Sequence, residues 1–352
     1  MTQVIECAIR VFKALFAGAV LFSTALAASA QSPAEFYKDK QIKFLVSSSV
    51  GGGFDTYTRL IARHIHKHMP GKPGFVVQNM VGAGGLRAAN FLGSVAPKDG
   101  TTIALFQNSV PLEPLHGNRQ ALFDPNAFHW LGSPSQEFAV FAIWHTVPVV
   151  RIEDARTYEL VIGAPGSMSS PAFYGRVLQA VFDVRLKILA GYAGALEALL
   201  GMERRENDGN TSAYWSSLKS IRPDWIAERK LRFLLQYGAS PHPELKEVPF
   251  ALDLIKDGIK REMMEVASAP LAMGRPIAAP PNVPLERVNA LRQALADTFR
   301  DPEYLAECVK LRLACSEPVT AQAITDGLAR AYRASPEVIA ALRQHYRSGE
   351  SK

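Results

Sequence analysis

The 352-residue sequence has only three cysteines, and one of them, Cys7, lies among its first ten residues. After residue 30 it has no apolar run that could cross a bilayer, which takes about 20 consecutive apolar residues. Its formal net charge of +6 is spread along the chain without long basic runs. It also has no basic stripe with interleaved aromatic residues, so we expect no nucleic acid among its partners.

Complete motifs of common enzymes are missing as well. The serine elbow Gly-x-Ser-x-Gly does not occur, since Ser167 follows Gly166 but is not followed by the second glycine. His64 and His68 have the one-turn spacing that lets two imidazoles share a metal, but two ligands do not make a site. We therefore expect no enzyme activity, no metal and no cofactor. An exported hydrolase stays as an alternative, with a serine that meets one of the scattered histidines His129, His145 and His242.

The first 30 residues have the three zones of a secretory signal peptide. Arg10 and Lys13 precede an apolar stretch from Ala14 to Leu26, and the small residues Ala28-Ser29-Ala30 follow it. This pattern predicts cleavage after Ala30 and export to the periplasm. Cys308 and Cys315 would then be in an oxidising compartment, where they could pair. The sequence does not give the Cα separation that decides between a disulfide and two buried thiols, so both stay open.

From residue 41 onward, short apolar runs alternate with amphipathic segments of helix length. This βαβαβ order predicts an α/β protein with mostly parallel sheets flanked by helices. A second such series begins near residue 138, and four helical segments follow the proline-rich Gly274–Pro284. We expect these last helices to pack on the first lobe. The predicted lobes are 31–133 plus 272–352, which is discontinuous, and 134–271.

Three clusters of small residues each lie between a predicted strand and a predicted helix: Ser47–Asp55, Asn79–Arg87 and Gly163–Ser170. Glycines leave backbone amides free at a helix start, where the helix dipole also favours an anion. Loops at the carboxyl ends of parallel strands converge, so we expect the first two clusters to form an anion site. Hydroxyls of the third cluster would close over it. Plain strand-to-helix turns, or a serine N-cap in the third, are the alternative.

Neither glycine cluster completes a nucleotide-binding motif. No Gly-Lys-Ser/Thr follows the first cluster, which excludes a P-loop. In the second cluster Arg87 stands where the dinucleotide fingerprint needs its last glycine.

The order of these motifs resembles the extracytoplasmic receptors of the tripartite tricarboxylate transporters, the TctC or Bug family. The family's Pro-x-Gly-Gly-x-x-Asp is matched by Ser49–Asp55, and its Asn-x-x-Gly-Ala-Gly-Gly by Asn79–Gly85. Pro97–Thr102 loosely matches a Pro-Asp-Gly-Tyr-Thr run. The resemblance covers essentially the whole mature chain. It departs at Ser49, which replaces the motif's proline, and in Met202–Thr211, where Asp208 takes the family's aspartate position.

The resemblance implies a two-lobed, type II-like periplasmic binding fold that closes on a carboxylate in the cleft between its lobes. It implies a monomeric receptor that captures a small organic anion for a permease of one large and one small transmembrane subunit, with a sensory role as the alternative. The identity of the acid is left open. The candidate ligand-binding residues are Ser49, Val50, Gly51, Gly52, Gly53, Asp55, Gly82, Ala83, Gly84, Asn108, Ser109, Gly166, Ser167, Met168, Tyr192, Asn210 and Thr211.

Overall fold

The structure, a computed structural model, describes residues 31–166 and 169–347. The predicted signal peptide, Ser167 and Met168 lie outside the described residues. None of the helices in the described ranges has the length and apolar composition needed to cross a bilayer.

Within these described ranges, eleven strands form two sheets. In chain order they are β1 (Gln41–Val46), β2 (Gly74–Asn79), β3 (Thr102–Leu105), β4 (His129–Ser133), β5 (Ala139–Trp144), β6 (Leu160–Ala164), β7 (Leu186–Ala190), β8 (Gly209–Tyr214), β9 (Leu231–Tyr237), β10 (Ile277–Ala279) and β11 (Val319–Thr320).

The α-helices of the described ranges are α1 (Pro33–Tyr37), α2 (Gly53–Ile65), α3 (Leu86–Asn90), α4 (Ser170–Phe182), α5 (Ala195–Glu203), α6 (Trp215–Ile221), α7 (Pro223–Ala227), α8 (Gly258–Met273), α9 (Leu285–Thr298), α10 (Pro302–Lys310), α11 (Ala321–Tyr332) and α12 (Pro336–Arg347). Short 3₁₀ turns lie at Ala83–Gly85, Val110–Leu112, Ile152–Arg156 and Ala251–Leu254, and a π turn lies at Phe91–Val95.

The first sheet has the strand order β11-β4-β10-β3-β1-β2. Strand β1 pairs in parallel with its neighbours β2 and β3, as the βαβαβ pattern predicts. β10 pairs antiparallel with β3 and β4, and β11 pairs antiparallel with β4. The carboxyl ends of the three parallel strands therefore lie at one edge of this sheet, where the first two glycine clusters begin.

Helix α2 connects β1 to β2 and covers the first sheet. Its apolar side chains recur at three- and four-residue intervals, which places them on one face of a helix of period 3.6. That face is buried and includes Phe54, Tyr57, Ile61 and Ile65. Each such side chain contributes about 1.5–3 kcal/mol by leaving water, so packing on the sheet holds α2 and its glycine-rich start in place.

The second sheet has the order β7-β6-β8-β5-β9. β6 pairs in parallel with β7 and β8, but β5 pairs antiparallel with β8 and β9. The second series is thus less regular than the βαβ order predicted. All six residues of β5 are buried, so the alternation that distinguishes an exposed antiparallel strand is absent from its sequence.

The chain passes from the first sheet to the second between β4 and β5 and returns between β9 and β10. Helices α9 and α11 pack on the first sheet through β4, as expected for C-terminal helices. Helix α12 differs from this expectation, since it packs on α4 and α8. Its Arg343 side chain also donates to the backbone oxygen of Leu115.

Cys308 and Cys315 form a disulfide with a Cα–Cα distance of 6.3 Å. It closes the turn after α10, and both sulfurs are buried. The hydroxyl of Tyr57 donates to the backbone oxygen of Ala314 and accepts from its amide, both at 2.9 Å. The disulfide loop is therefore fixed to α2, the helix that begins at the first glycine cluster.

We predict that the double replacement Cys308→Ala with Cys315→Ala lowers the free energy of unfolding by about 2–3 kcal/mol, because a short covalent loop no longer restricts the unfolded chain. Urea unfolding of the oxidised protein and of the variant measures the difference. A reducing agent should lower the stability of the unsubstituted protein by a similar amount and leave the variant unchanged. An unsubstituted protein that is insensitive to the reductant would contradict the prediction.

Candidate ligand-binding site

A cavity of about 230 Å³ lies between the two lobes. Its first wall is built by the segments that follow β1, β2 and β3, and its second wall by those that follow β6 and β7 together with β8 and the start of α6. Carboxyl-terminal strand ends of both sheets thus meet at one crevice, the usual ligand position in α/β folds. The lining residues are 47–49, 52–54, 81–85 and 107 from the first lobe, and 165, 166, 170, 171, 192–196, 199, 210, 212–214, 217 and 221 from the second.

The two lobes touch on both sides of this cavity. A Cβ atom placed on Gly194 would lie 1.9 Å from Oγ of Ser49, so these two residues are in direct contact across the cleft. On another side the hydroxyl of Tyr214 donates to Oδ1 of Asn108 at 2.6 Å, and the hydroxyls of Ser109 and Ser170 are 3.2 Å apart. The structure therefore shows the lobes closed.

In the described chain, five helices begin at the cavity wall without a side-chain cap, and three of them, α2, α4 and α5, have nine or more residues. The N-cap residues of these three are Gly52 for α2, Ser169 for α4 and Gly194 for α5, and none accepts a hydrogen bond through a side chain from the first amides of its helix. Elsewhere in the described chain, α1, α8, α10 and α11 have such caps, from Ser32, Asp257, Asp301 and Thr320, whereas α7 and α9 have none. The first amides of a helix have no partner within the helix. At the cavity, the first backbone amides of these three helices and the positive ends of their dipoles are available to a bound group.

No aspartate, glutamate, lysine, arginine or histidine is among the described residues that line the cavity. Two of its serine hydroxyls, those of Ser48 and Ser212, are buried and have no hydrogen-bond partner among the described residues. Buried polar atoms without a partner are rare in folded proteins, so these two also point to a ligand. The cavity combines them with apolar side chains such as Phe54, Leu196 and Leu199.

Asp55 fixes the first two glycine clusters to each other. Its carboxylate accepts from the amide of Gly51 and from Nε of Arg59, both at 3.0 Å, and from Nδ2 of Asn79 at 2.9 Å. Asn79 also donates to the backbone oxygen of Ser48 at 2.9 Å. Burial by itself raises the pKa of Asp55, but the hydrogen bonds from Arg59, Gly51 and Asn79 together hold it below its usual value. The carboxylate therefore stays charged at neutral pH. It holds the first two glycine clusters together and does not line the cavity.

The structure places nine of the predicted ligand-binding residues in the cavity wall: Ser49, Gly52, Gly53, Gly82, Ala83, Gly84, Gly166, Tyr192 and Asn210. The hydroxyl of Tyr192 already donates to Glu206 and accepts from Asn207. Ser167 and Met168 lie outside the described residues.

Six predicted residues do not line the cavity: Val50, Gly51, Asp55, Asn108, Ser109 and Thr211. Val50 is 64% exposed at the surface. Asn108 and Ser109 lie behind the wall, where they join the lobes. The side chain of Thr211 faces away from the cavity, because residues next to each other in a strand point to opposite faces. Its hydroxyl donates to the backbone oxygen of Pro171.

Sequence reasoning missed the part of the wall formed by the end of β8 and by α6. Ser212, Tyr214, Ser217 and Ile221 lie there. This is another junction between a strand and a helix, but it contains no glycine, so the pattern that marked the other junctions was absent. Its only sequence signal is the pair of serines in the first turn of α6.

The histidines considered for a metal or for catalysis lie elsewhere. Nε2 of His64 is 2.8 Å from Glu307, and Nε2 of His68 is 2.8 Å from Asp301. His64, Asp301 and Glu303 could reach a common ion, but Nζ of Lys67 is 2.7 Å from both carboxylates and already supplies a positive charge. Three further histidines, His129, His145 and His242, do not line the cavity.

We predict that Asp55→Asn lowers the free energy of unfolding by roughly 1–3 kcal/mol at pH 7, since the hydrogen bonds of a charged acceptor are weakened. Because the folded state lowers the pKa of Asp55, its stabilisation is complete above the ordinary aspartate pKa of about 4 and is lost as the pH falls through the lower folded value. Urea unfolding between pH 7 and pH 3 should show the gap between the two proteins narrowing. A gap that stays constant or widens in acid would contradict this assignment.

No protein-family model matches the sequence, and no curated protein is significantly similar to it. Solved structures do match in fold. Rpa4515 of R. palustris, titled with adipate, is 17% identical with a TM-score of 0.65, over 88% of this chain and 97% of its own. The periplasmic binding protein BugD is 16% identical with a TM-score of 0.66, over 90% of this chain and 99% of its own.

MatC from Rhodopseudomonas palustris, titled with bound malate, is 16% identical with a TM-score of 0.65, over 85% of this chain and 99% of its own. BugD carries the name of the family that the sequence motifs resemble. At these identities the likeness concerns the fold. The chain thus has the expected α/β periplasmic binding protein fold, with two lobes and the cavity in the cleft between them.

Proposed function

We propose that this protein is an exported receptor that captures a small carboxylate between its two lobes. The observation that carries the proposal is the convergence of three helix starts, at Gly52, Ser169 and Gly194, whose amides no side chain caps. A carboxylate supplies acceptors for such amides, and its negative charge is favoured by the positive ends of the helix dipoles. The unpaired hydroxyls of Ser48 and Ser212 add two donors.

The rest of the cavity wall agrees with an organic acid in preference to an inorganic anion. Leu196, Leu199 and Ile221 offer apolar surface for a carbon skeleton. The proteins of the same fold that are titled with adipate and malate were solved with dicarboxylates. We infer that the ligand of this chain is an acid of comparable size, bound by amides and hydroxyls without a basic side chain.

The proposal includes a cellular setting. Residues 1–30 would direct the chain to the periplasm, where it would act as a monomer and not as an enzyme. Residues 31–133 plus 272–352 would form one lobe and 134–271 the other. When these close on the acid, their joint surface would be presented to a permease with a large and a small transmembrane subunit. This setting is supported by the signal-like N-terminus and by the periplasmic proteins that share the fold.

The first test is a thermal-shift and calorimetric screen of adipate, malate, succinate and benzoate, each compared with its uncharged amide. We expect at least one acid to bind. A ligand present at 100 times its Kd stabilises the folded state by about 2.7 kcal/mol. The amides should bind at least ten times more weakly. Stabilisation by the amides alone, or equally by both series, would contradict the anion proposal.

A second prediction concerns the contact that closes the cleft. Gly194 has an extended backbone, so alanine fits its conformation, but the new methyl group would overlap Oγ of Ser49. We expect Gly194→Ala to weaken the binding of the best acid about 5- to 100-fold, since overpacking costs about 1–3 kcal/mol. Isothermal calorimetry measures the loss.

Two variants control this experiment. Gly258→Ala, at a helix start where nothing lies within 4 Å of the added atom, should bind as the unsubstituted protein does. Ser49→Gly combined with Gly194→Ala removes the overlapping hydroxyl and should restore part of the affinity. If Gly194→Ala binds with unchanged affinity, closure through this contact is wrong.

A further inference from the structure

Arg275 is a fully buried guanidinium beside the ligand cavity, and sequence reasoning did not single it out. Its Nε is 2.8 Å from Oε1 of Glu137, which is buried as well. Glu137 precedes β5 and Arg275 precedes β10, so the pair joins the two connections between the sheets. Breaking such a pair by removing one partner leaves an uncompensated buried charge and is costly. The charge of Arg275 is thus held at a fixed place.

The hydrogen bonds around Arg275 have a fixed direction. A guanidinium only donates, so Ser216 and Ser217 must accept the bonds from Nη2, at 3.1 and 3.0 Å. The hydroxyl of Ser216 then gives its own proton to Oε2 of Glu137 at 2.8 Å. Ser217 differs, since the described residues provide no acceptor for its proton. Ser217 lines the ligand cavity, and Ser216 does not.

The first glycine cluster leaves room for this arrangement. A Cβ atom on Gly53 would lie 2.3 Å from Oγ of Ser217 and 3.4 Å from Nη1 of Arg275. Both groups thus approach the uncapped start of α2. Nη1 has no hydrogen-bond partner in the described part of the chain. The guanidinium lies 4.7 Å from the ring centre of Phe54 and 5.6 Å from that of Tyr214, two rings in the cavity wall.

We propose that Ser217 is a ligand-binding donor whose proton is directed into the cavity because Arg275 occupies its acceptor side. Arg275 is the positioning residue in this arrangement, and it also gives the hydroxyl a charged neighbour. Glu137 contacts the Nε side of the guanidinium and Ser217 the Nη2 side, so the positive end of the ion pair is the one nearer the cavity. The inference rests on the proposed capture of a carboxylate, and it assigns one of the ligand's oxygens to Ser217.

The first test replaces the hydroxyl alone. Ser217→Ala should weaken binding of the tightest acid among adipate, malate, succinate and benzoate about 10-fold or more, because a hydrogen bond to a charged acceptor is lost. Ser220→Ala is the matched control. It removes a hydroxyl from the same helix that donates to the backbone oxygen of Ser217 and does not line the cavity. We expect that control to change affinity less than about 2-fold.

The second test removes the charge while keeping the packing. Glu137→Leu combined with Arg275→Met replaces a buried ion pair with apolar groups of similar size, a change that folded proteins often tolerate. In this background the ratio of acid affinity to amide affinity should fall. Ser217→Ala should then cost less than in the unsubstituted protein, since the direction of the serine proton is no longer fixed. A merely structural role for Arg275 would move neither the ratio nor this coupling.

The outcomes separate the two proposals. If the unsubstituted protein binds none of the acids, the proposed function fails. If it binds an acid but Ser217→Ala binds as tightly, or no more weakly than Ser220→Ala, the donor role of Ser217 is overturned while carboxylate capture stands. If Ser217→Ala weakens binding but the acid-to-amide ratio and the coupling are unchanged in the double replacement, the role of Arg275 is overturned. If the double replacement does not fold, Ser217→Ala and Ser220→Ala still decide the donor assignment.

Discussion

The first amides of an α-helix have no acceptor within the helix, and something outside it has to satisfy them. At α1, α8, α10 and α11 a serine, threonine or aspartate side chain does so. At α2, α4 and α5 no N-cap side chain does, and these three starts lie around one cavity, whereas α7 and α9 begin without such a cap elsewhere. The parallel strands of both sheets cause this convergence, because each feeds a helix from its carboxyl end.

Close approach of the lobes depends on residues with small or absent side chains. Gly194 lets Ser49 reach the start of α5, and Gly53 lets Ser217 and Arg275 reach the start of α2. Glycine serves here by its lack of a Cβ, since at Gly194 the backbone is extended and open to any residue. The resembled motif has a proline where this chain has Ser49, and this difference affects the same contact. The hydroxyl that replaces the proline ring is the group that packs on Gly194.

The sequence was sufficient to predict the fold class and much of the cavity. The strands that end in glycine clusters, and the segments around Gly82 and Gly166, were identified because glycine at a strand-to-helix junction has a clear local meaning. Three features were not predictable in the same way. Asp55 lies in a loop motif but bonds to Arg59, Gly51 and Asn79, a set that only the tertiary structure assembles.

The other two depend on contacts between distant parts of the chain. Arg275 is 138 residues from Glu137, and a lone arginine in a proline-rich segment carries no local sign of burial. Helix α12 was expected on the first lobe because it follows helices that pack there, but its apolar face fits α4 and α8 as well as any sheet. Amphipathic periodicity fixes which face of a helix is buried, and it does not identify the surface that buries it.

A cavity wall whose described residues include no acidic side chain, no basic side chain and no histidine has a physical advantage for the proposed receptor, which must also release its ligand. A basic residue in the wall would have to be desolvated whenever the lobes close, and it would remain unpaired whenever the cleft is empty. Backbone amides are neutral, so water can satisfy them in an open cleft at little cost. Arg275 adds positive charge without this penalty, because Glu137 pairs with it whether or not a ligand is present. In the proposed arrangement this charge acts on the ligand through the oriented hydroxyl of Ser217, and anion selectivity is thereby linked to the connections between the lobes.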